Sequence, residues 1–396
     1  MMPCPPCPSL VAVEPAPLRP GARRGERQAP VWRLGPSRWV GLTPGLTRGR
    51  VRDLWCALLG GLALSLALPA AAAGNGEAPS VSVRRLGQAE DARPALHGPA
   101  YYLKGDGPPE STSFSEFARA VAQEAVDVVV LGGSWLEHDA ECRLLISLDR
   151  VNSCTTIVIR DPAGSEDPAV LAALKRAELV YFRGGDQCHF VRWKFSALHD
   201  AVQAVVARGG GVGGGSAGLA IQGALAVYDG CTGSVTSRSA LADPYRRSIS
   251  FTHEYFDWPH LAATVTDSHF VKRDRMGRLM TFLCRQQALG RAREAWGLGI
   301  EEGSVVVVDR DGQGKVHGEV AYVLQADGSA EGCSDERHAL SYEGFKIWRL
   351  GEGDTFDFAH RPRDGYYRID VEDGVLSADP YQAPADHVAG RTTRWP

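Results

Sequence analysis

Short apolar runs alternate with amphipathic stretches through the middle of this 396-residue chain. Val126-Asp127-Val128-Val129-Val130-Leu131 stops at Gly132-Gly133 and predicts a buried strand. Thr155 to Ile159 and Leu179 to Phe182 predict two more, the second running into Gly184-Gly185. Helical spacing fits Glu137 to Leu148, Asp167 to Arg176, and a longer stretch from about Phe190 to Ala207. Continuous apolar strands separated by helices indicate an α/β fold, a parallel sheet with helices on both faces. In such sheets ligands gather at the carboxyl ends of the strands. Gly132, Gly184 and Ser216 all fall at those ends.

The pattern loosens on either side. Gly74 to about Pro109 reads as a polar lead-in with one strand at Val81 to Arg85. After Val227 an irregular stretch runs to about Pro259, followed by a strand at Leu261 to Thr266 and a helix at Arg275 to Leu283. Ser304 to Asp309 and Val316 to Leu324 read as a hairpin, and the tail from Arg361 is rich in Pro and Asp. No repeat and no second core emerges. One domain with β extensions is expected: a lead-in over 74–124, the principal domain over 125–358 and a C-terminal extension over 359–396.

The first 73 residues differ in kind. Residues 1–50 are rich in Pro, Arg and Gly without periodicity, and read as a disordered leader or as residues upstream of a start near Val51. Residues 51–73 combine Arg50-Val51-Arg52, an apolar run from Leu54 to Leu68 and a string of alanines before Gly74. That is a secretory signal peptide, too short for a comfortable membrane span. The mature chain is therefore expected to be exported, periplasmic or extracellular, without stable membrane insertion. The leader carries nine Arg against three acids, leaving 34 basic and 44 acidic residues beyond Ala73. Such a balance argues against nucleic acid as a partner. Six cysteines remain, an even number that permits disulfides after export, with Cys142–Cys154 the first pair to test; buried free thiols fit equally.

Candidate chemistry centres on Gly214-Gly215-Ser216-Ala217-Gly218. It matches G-x-S-x-G, a sharp strand-to-helix turn that lifts a serine hydroxyl out of the fold. A glycine-rich turn or a phosphate-binding loop fits the same pentapeptide. A serine nucleophile needs a base and a group to orient it. His269, at the end of a strand in Thr266-Asp267-Ser268-His269-Phe270, and the acidic pair Glu301-Glu302 are candidates that spacing alone does not select. Gly184-Gly185-Asp186-Gln187 could face the serine with backbone N–H groups. No metal-ligand spacing and no nucleotide motif is present, so neither metal nor cofactor is expected.

Taken in order, Gly184-Gly185-Asp186-Gln187, Gly215-Ser216-Ala217-Gly218, Asp267-Ser268-His269-Phe270 with Arg273, Arg275 and Gly277-Arg278, and Gly299-Ile300-Glu301-Glu302 resemble the cyanophycinases. These belong to the S51 serine peptidases, which include aspartyl dipeptidase. The resemblance runs from about Val126 to Asp357. It implies a class I glutamine amidotransferase-like, flavodoxin-like fold with serine at the elbow. It also implies Ser216 as nucleophile, His269 as base, Glu302 as orienting acid, and Gly185 and Ala217 as oxyanion donors. Asp186, Gln187, Ser268, Arg273, Arg275 and Arg278 match substrate-binding positions, although the arginines could instead pair with Asp267 or Asp274. The implied substrate is a peptide or polymer, cyanophycin among them, and a homodimer is favoured. Ser268 departs from the glutamine that cyanophycinases carry, and another aspartyl peptide or amide is the alternative substrate. An amidohydrolase of small amides and a non-catalytic binding protein on the same fold are the alternatives.

Overall fold

The structure, a computed structural model, describes residues 80–133, 139–333 and 338–383. The residues expected to form a leader and a signal peptide, the start of the helix expected from Glu137 and the end of the expected C-terminal extension lie outside the described residues.

The chain opens with β1 (Val81–Gly87), β2 (Ala100–Lys104), α1 (Ser111–Val121), β3 (Val126–Gly132), α2 (Ala140–Leu145) and β4 (Val151–Ile159). It continues through α3 (Pro168–Arg176), β5 (Leu179–Phe182), α4 (Gln187–Val191), α5 (Ala197–Ala207), β6 (Gly211–Gly215) and α6 (Ala217–Ala220). Then come β7 (Val227–Tyr228), α7 (Ser237–Ala242), β8 (Phe251–Thr252), β9 (Thr264–Asp267), α8 (Met276–Ala288), β10 (Ala295–Ile300) and β11 (Val305–Val308). The last strands are β12 (Gln313–His317), β13 (Val320–Ala326), β14 (Tyr342–Gly351), β15 (Thr355–Asp357), β16 (Tyr367–Glu372) and β17 (Val375–Leu376).

One sheet has the order β1-β4-β3-β5-β6-β2-β11-β12-β15. Its centre, β4-β3-β5-β6-β2, is parallel, and the strands on both flanks are antiparallel. The run β4-β3-β5-β6 is the 2-1-3-4 order of a flavodoxin-like sheet. Alternate residues of the strands go to opposite faces. Val129, Leu131, Val180 and Phe182 pack with Val170 and Leu174 of α3 and Leu198 and Val202 of α5. Val128, Val130, Leu179 and Tyr181 pack with Phe114 and Phe117 of α1 and Leu145 of α2. Helices thus cover both faces, and the apolar runs lack alternation because neither face meets water. Helix boundaries are set locally: Asp167 caps α3 by accepting from Ala169 N–H ahead of Pro168, and Ser196 caps α5.

A second sheet, β17-β16-β14-β13-β10-β9, is antiparallel except for β9 beside β10. Its face under α8 carries a separate cluster that includes Leu279, Phe282, Tyr322, Phe345 and Ile369. The expectation of no second core is therefore corrected. Four further expectations change. The 74–124 lead-in is not peripheral: it supplies β1, β2 and α1, with β2 lying between β6 and β11. The helix expected from Phe190 to Ala207 breaks at Phe195, whose φ is 66°, and restarts at the Ser196 cap. The irregular stretch after Val227 contains α7, capped by Thr236. Val316 to Leu324 is not one strand, because Gly318, at φ 96°, separates β12 from β13 and sends them to different sheets. The tail contributes β16 and β17 to the second sheet. Among the described residues no helix is long and apolar enough to cross a membrane.

The six cysteines beyond Ala73 pair as Cys142–Cys154, Cys188–Cys231 and Cys284–Cys333. They are separated by 12, 43 and 49 residues respectively. Closing a longer loop removes more entropy from the unfolded chain. Replacing Cys284 and Cys333 together is therefore expected to cost about 1 kcal/mol more than replacing Cys142 and Cys154, each pair costing roughly 2–4 kcal/mol. Urea unfolding of the two double variants measures this; equal losses would contradict the loop-entropy account.

Candidate active site

β6 ends at Gly215, and Ser216 turns the chain into α6 with φ 54° and ψ −113°. A non-glycine residue in such a conformation costs of order 1–3 kcal/mol and persists only where its surroundings enforce it. The enforcing contacts are close. A Cβ on Gly218 would lie 2.1 Å from the Phe182 carbonyl oxygen, and one on Gly214 would lie 2.6 Å from the same atom. The two outer glycines of the pentapeptide therefore let the turn press onto the end of β5. Ser216 N–H donates to Lys104 O of β2 at 3.2 Å. The turn is held between its two neighbouring strands.

His269 follows β9 and takes φ 47°. Next to it, Phe270 lies across β10 where Gly299 leaves room; a Cβ there would sit 2.4 Å from the ring. Phe270 N–H donates to Ile300 O, and Glu301 accepts from the N–H groups of Val271 and Lys272. The imidazole is buried. Its Nε2 is 2.7 Å from Ser216 Oγ, and its Nδ1 is 2.6 Å from Glu302 Oε1. An ionised carboxylate only accepts, so Nδ1 carries the hydrogen and Nε2 is left to accept from the serine hydroxyl. Lys272 donates to the other oxygen of Glu302. Lys272 first, and His269 second, hold the Glu302 carboxyl down to about 2.

Ala217 begins α6, so its N–H has no intrahelical acceptor. Gly185 sits at φ 144° with open space where a Cβ would be, so the backbone conformation rather than crowding calls for glycine. Gly184 lies against Ser216, 3.4 Å separating the serine Cβ from the point where a Cβ on Gly184 would be. Gly185, Ser216 and Ala217 line one cavity of about 230 Å³.

The remaining sequence candidates line that same cavity, but not equivalently. Arg278 is buried and grips Asp267 through Nε (2.7 Å) and Nη2. Arg275 Nη1 donates to Asp267 Oδ1, to Ser268 O at 2.9 Å and to Ser268 Oγ at 3.2 Å. Burial pushes Asp267 up, but Arg278 and Arg275 outweigh it and leave the carboxyl below its ordinary range. Arg273 is exposed at the cavity wall. Asp186 caps α4 by accepting from Cys188 N–H, and Gln187 donates to Tyr228 O at 3.3 Å. The disulfide Cys188–Cys231 joins this loop to the segment holding Gly230, Gly233 and Ser234, which also lines the cavity.

Of the acidic pair, Glu301 does not orient the histidine but fixes the turn after it. Two residues at the site escaped the sequence reading: Lys272 holds Glu302, and Asp106 places Oδ2 3.8 Å from His269 Nδ1. Asp106 lies in Lys104-Gly105-Asp106-Gly107, just past β2. The glycines at that strand end carry the signal that singled out Gly132 and Gly184.

No family model matches the chain. The chain is 27% identical over 253 residues to the cyanophycinase of Synechococcus elongatus, covering 60% of this chain and 71% of that protein. It is 26% identical over 214 residues to the cyanophycinase of Trichormus variabilis, covering 51% and 64%. Among solved structures, a peptidase from an acI-B1 Actinobacterium matches at 15% identity and TM-score 0.42, covering 66% of this chain and 98% of that one. A putative peptidase E protein from Listeria monocytogenes matches at 15% identity and TM-score 0.37, covering 53% and 94%. The likeness to the cyanophycinases supports a cyanophycinase-like peptidase of the serine type.

A carboxyl depressed in the folded protein contributes stability above its unfolded value of about 4.3 and loses it as pH falls through the folded value. Here that window runs down to about 2. Replacing Lys272 with Met is expected to raise the Glu302 titration towards the ordinary carboxylate range and to narrow the window. Carbon-13 NMR of the carboxyl groups measures it; an unmoved Glu302 titration would remove Lys272 from the account.

Proposed function

We propose that this chain is an exported serine peptidase that cleaves a peptide or isopeptide bond through an acyl-enzyme, with Ser216, His269 and Glu302 as its catalytic triad. The observation that carries the reading is the continuous relay from Ser216 Oγ to His269 Nε2 and from Nδ1 to Glu302, at 2.7 and 2.6 Å. His269 takes the serine proton as Oγ attacks the scissile carbonyl. The N–H groups of Gly185 and Ala217 receive the developing oxyanion, a donor of this kind contributing about 2.7–4 kcal/mol. The imidazolium then protonates the leaving amine, and a water deprotonated by His269 releases the acyl group.

The cavity supports an acyl residue that carries a carboxylate. Asp267 is already matched by Arg278 and Arg275, which leaves Arg273 as the cation facing the cavity. An exposed guanidinium pairs with a carboxylate through two hydrogen bonds. The relatives' name makes cyanophycin, an aspartate backbone with arginine side groups, the leading substrate. Ser268 favours a second reading, another aspartyl peptide or amide, because its hydroxyl is engaged with Arg275 where cyanophycinases present glutamine. The alanine-bordered apolar run over 51–73 and three disulfides support export into an oxidising compartment. The family resemblance favours a homodimer.

Purified protein is expected to release soluble β-Asp-Arg from cyanophycin, and Ser216→Ala to abolish that release, a loss of about 10⁶-fold in comparable enzymes. No release from a protein whose Ser216 still reacts with a fluorophosphonate probe would keep the peptidase and discard the polymer. Release undiminished in the alanine variant would end the serine mechanism.

A further inference from the structure

We propose that Asp106 is a second positioning acid for His269, one that shares with Glu302 the task of holding the imidazole in its reactive tautomer. The proposal rests on the serine-peptidase reading above. Two carboxylates face the same ring nitrogen. Glu302 Oε1 lies 2.6 Å from Nδ1 and Asp106 Oδ2 lies 3.8 Å from it. The ligand atoms of these three side chains all fall within 4.8 Å of one another. They come from separate parts of the chain, Asp106 from the turn after β2, His269 from the end of β9 and Glu302 from the end of β10.

The turn that carries Asp106 is fixed. Gly105 N–H donates to Ser304 O at 2.9 Å, and Lys104 O accepts from Ser216 N–H. Gly105 is pressed so closely on the Glu301 carbonyl that a Cβ would lie 1.9 Å from its oxygen. The same backbone segment therefore touches the nucleophile's turn on one side and the Glu301-Glu302 turn on the other. Among the described residues Asp106 has no other ion-pair partner within 4 Å, and its side chain is 39% exposed. Glu302, by contrast, is shared with Lys272. The Lys272 ammonium offsets much of the negative charge that Glu302 offers the ring, and Asp106 adds a second negative charge beside the same nitrogen.

The consequence concerns the tautomer. In serine peptidases, exchanging the orienting acid for its amide costs about 10⁴-fold because the ring adopts the wrong tautomer. Here an amide at 302 would leave Asp106 as an acceptor able to keep the hydrogen on Nδ1. The bond that matters is Nδ1–H to Oδ2, formed by a small closure of the 3.8 Å gap.

The test is the rate at which a fluorophosphonate labels Ser216, which depends on the serine and its base but not on knowing the substrate. Glu302→Gln is expected to slow labelling by about 10²-fold, short of the usual 10⁴-fold. Adding Asp106→Asn should bring the remaining 10²-fold loss, whereas Asp106→Asn alone should cost only a few-fold. Asp106→Glu, one methylene longer, should recover part of the Glu302→Gln loss, which a purely structural role would not produce. Thermal melts of each variant check that folding is retained. A full 10⁴-fold loss in Glu302→Gln, with Asp106→Asn adding nothing and Asp106→Glu rescuing nothing, overturns the second acid while wild-type labelling keeps the peptidase. A wild-type protein that is not labelled at Ser216 overturns both.

Discussion

The backbone of Ser216, held at φ 54° and ψ −113°, is the constraint on which the rest of the site depends. A serine on an unstrained strand end would point along the sheet face, into one of the two cores. Pressing the turn onto the Phe182 carbonyl through Gly214 and Gly218 directs the hydroxyl outwards instead. That arrangement requires β5 directly beside β6 and in parallel register, so that the end of one strand meets the turn of the other. It also requires β2 on the far side, because Lys104 O accepts the serine N–H. The sheet order is thus part of the site. A fold that placed any other strand next to β6 would leave the strained turn without the contacts that maintain it.

The site is divided between two sheets. Ser216 and the Gly185 loop belong to the nine-stranded sheet, while His269 and Glu302 extend from the parallel pair β9 and β10 of the other. A 2.7 Å hydrogen bond between them tolerates little relative movement. Two features limit it. Gly105 bridges the sheets by packing against Glu301 and bonding to Ser304. Tyr381, from the tail, accepts from Met276 N–H, and its single hydroxyl hydrogen is within reach of both Phe270 O (3.2 Å) and Asp274 Oδ1 (3.0 Å), so the turn around His269 is also fastened from outside. The lead-in and the tail, at opposite ends of the described chain, both converge on the histidine's turn.

Legibility in the sequence followed the range of the interactions. β3, β5 and the elbow could be read because an apolar run and a glycine-bounded turn are local signals. β2 was missed because Ala-Tyr-Tyr-Leu-Lys places a lysine and two hydroxyls in a strand whose burial only the neighbours β6 and β11 explain. The division of the expected hairpin strand at Gly318 was hidden because an apolar pattern does not say which sheet each half joins. Ser216, His269 and Glu302 could be ordered by a family resemblance, but not chosen by spacing, since 53 residues separate the serine from the histidine. The arginines show the limit most plainly. Arg273, Arg275 and Arg278 look alike in sequence, yet one is exposed at the cavity and one is buried on Asp267. Charge pattern reports the residue type, whereas function depends on which partner has already taken the charge.

That distribution of partners gives the site an electrical direction. Behind the imidazole lie Glu302 and Asp106, with Lys272 offsetting only part of their charge. Across the serine, the cavity wall carries Arg273, Arg275 and Arg278 against Asp267 and Asp186. As a serine attacks, positive charge forms on the imidazole and negative charge on the carbonyl oxygen. Under the proposed mechanism the acids lie beside the ring that becomes the imidazolium, and the arginines line the cavity that Ser216 also lines. Such preorganisation needs no rearrangement at the moment of reaction, so it lowers the barrier without first costing reorganisation energy. It also explains why Asp267 must be neutralised. An unpaired carboxylate in that wall would add negative charge beside the serine; instead two arginines pair with the one aspartate, and the third lines the cavity.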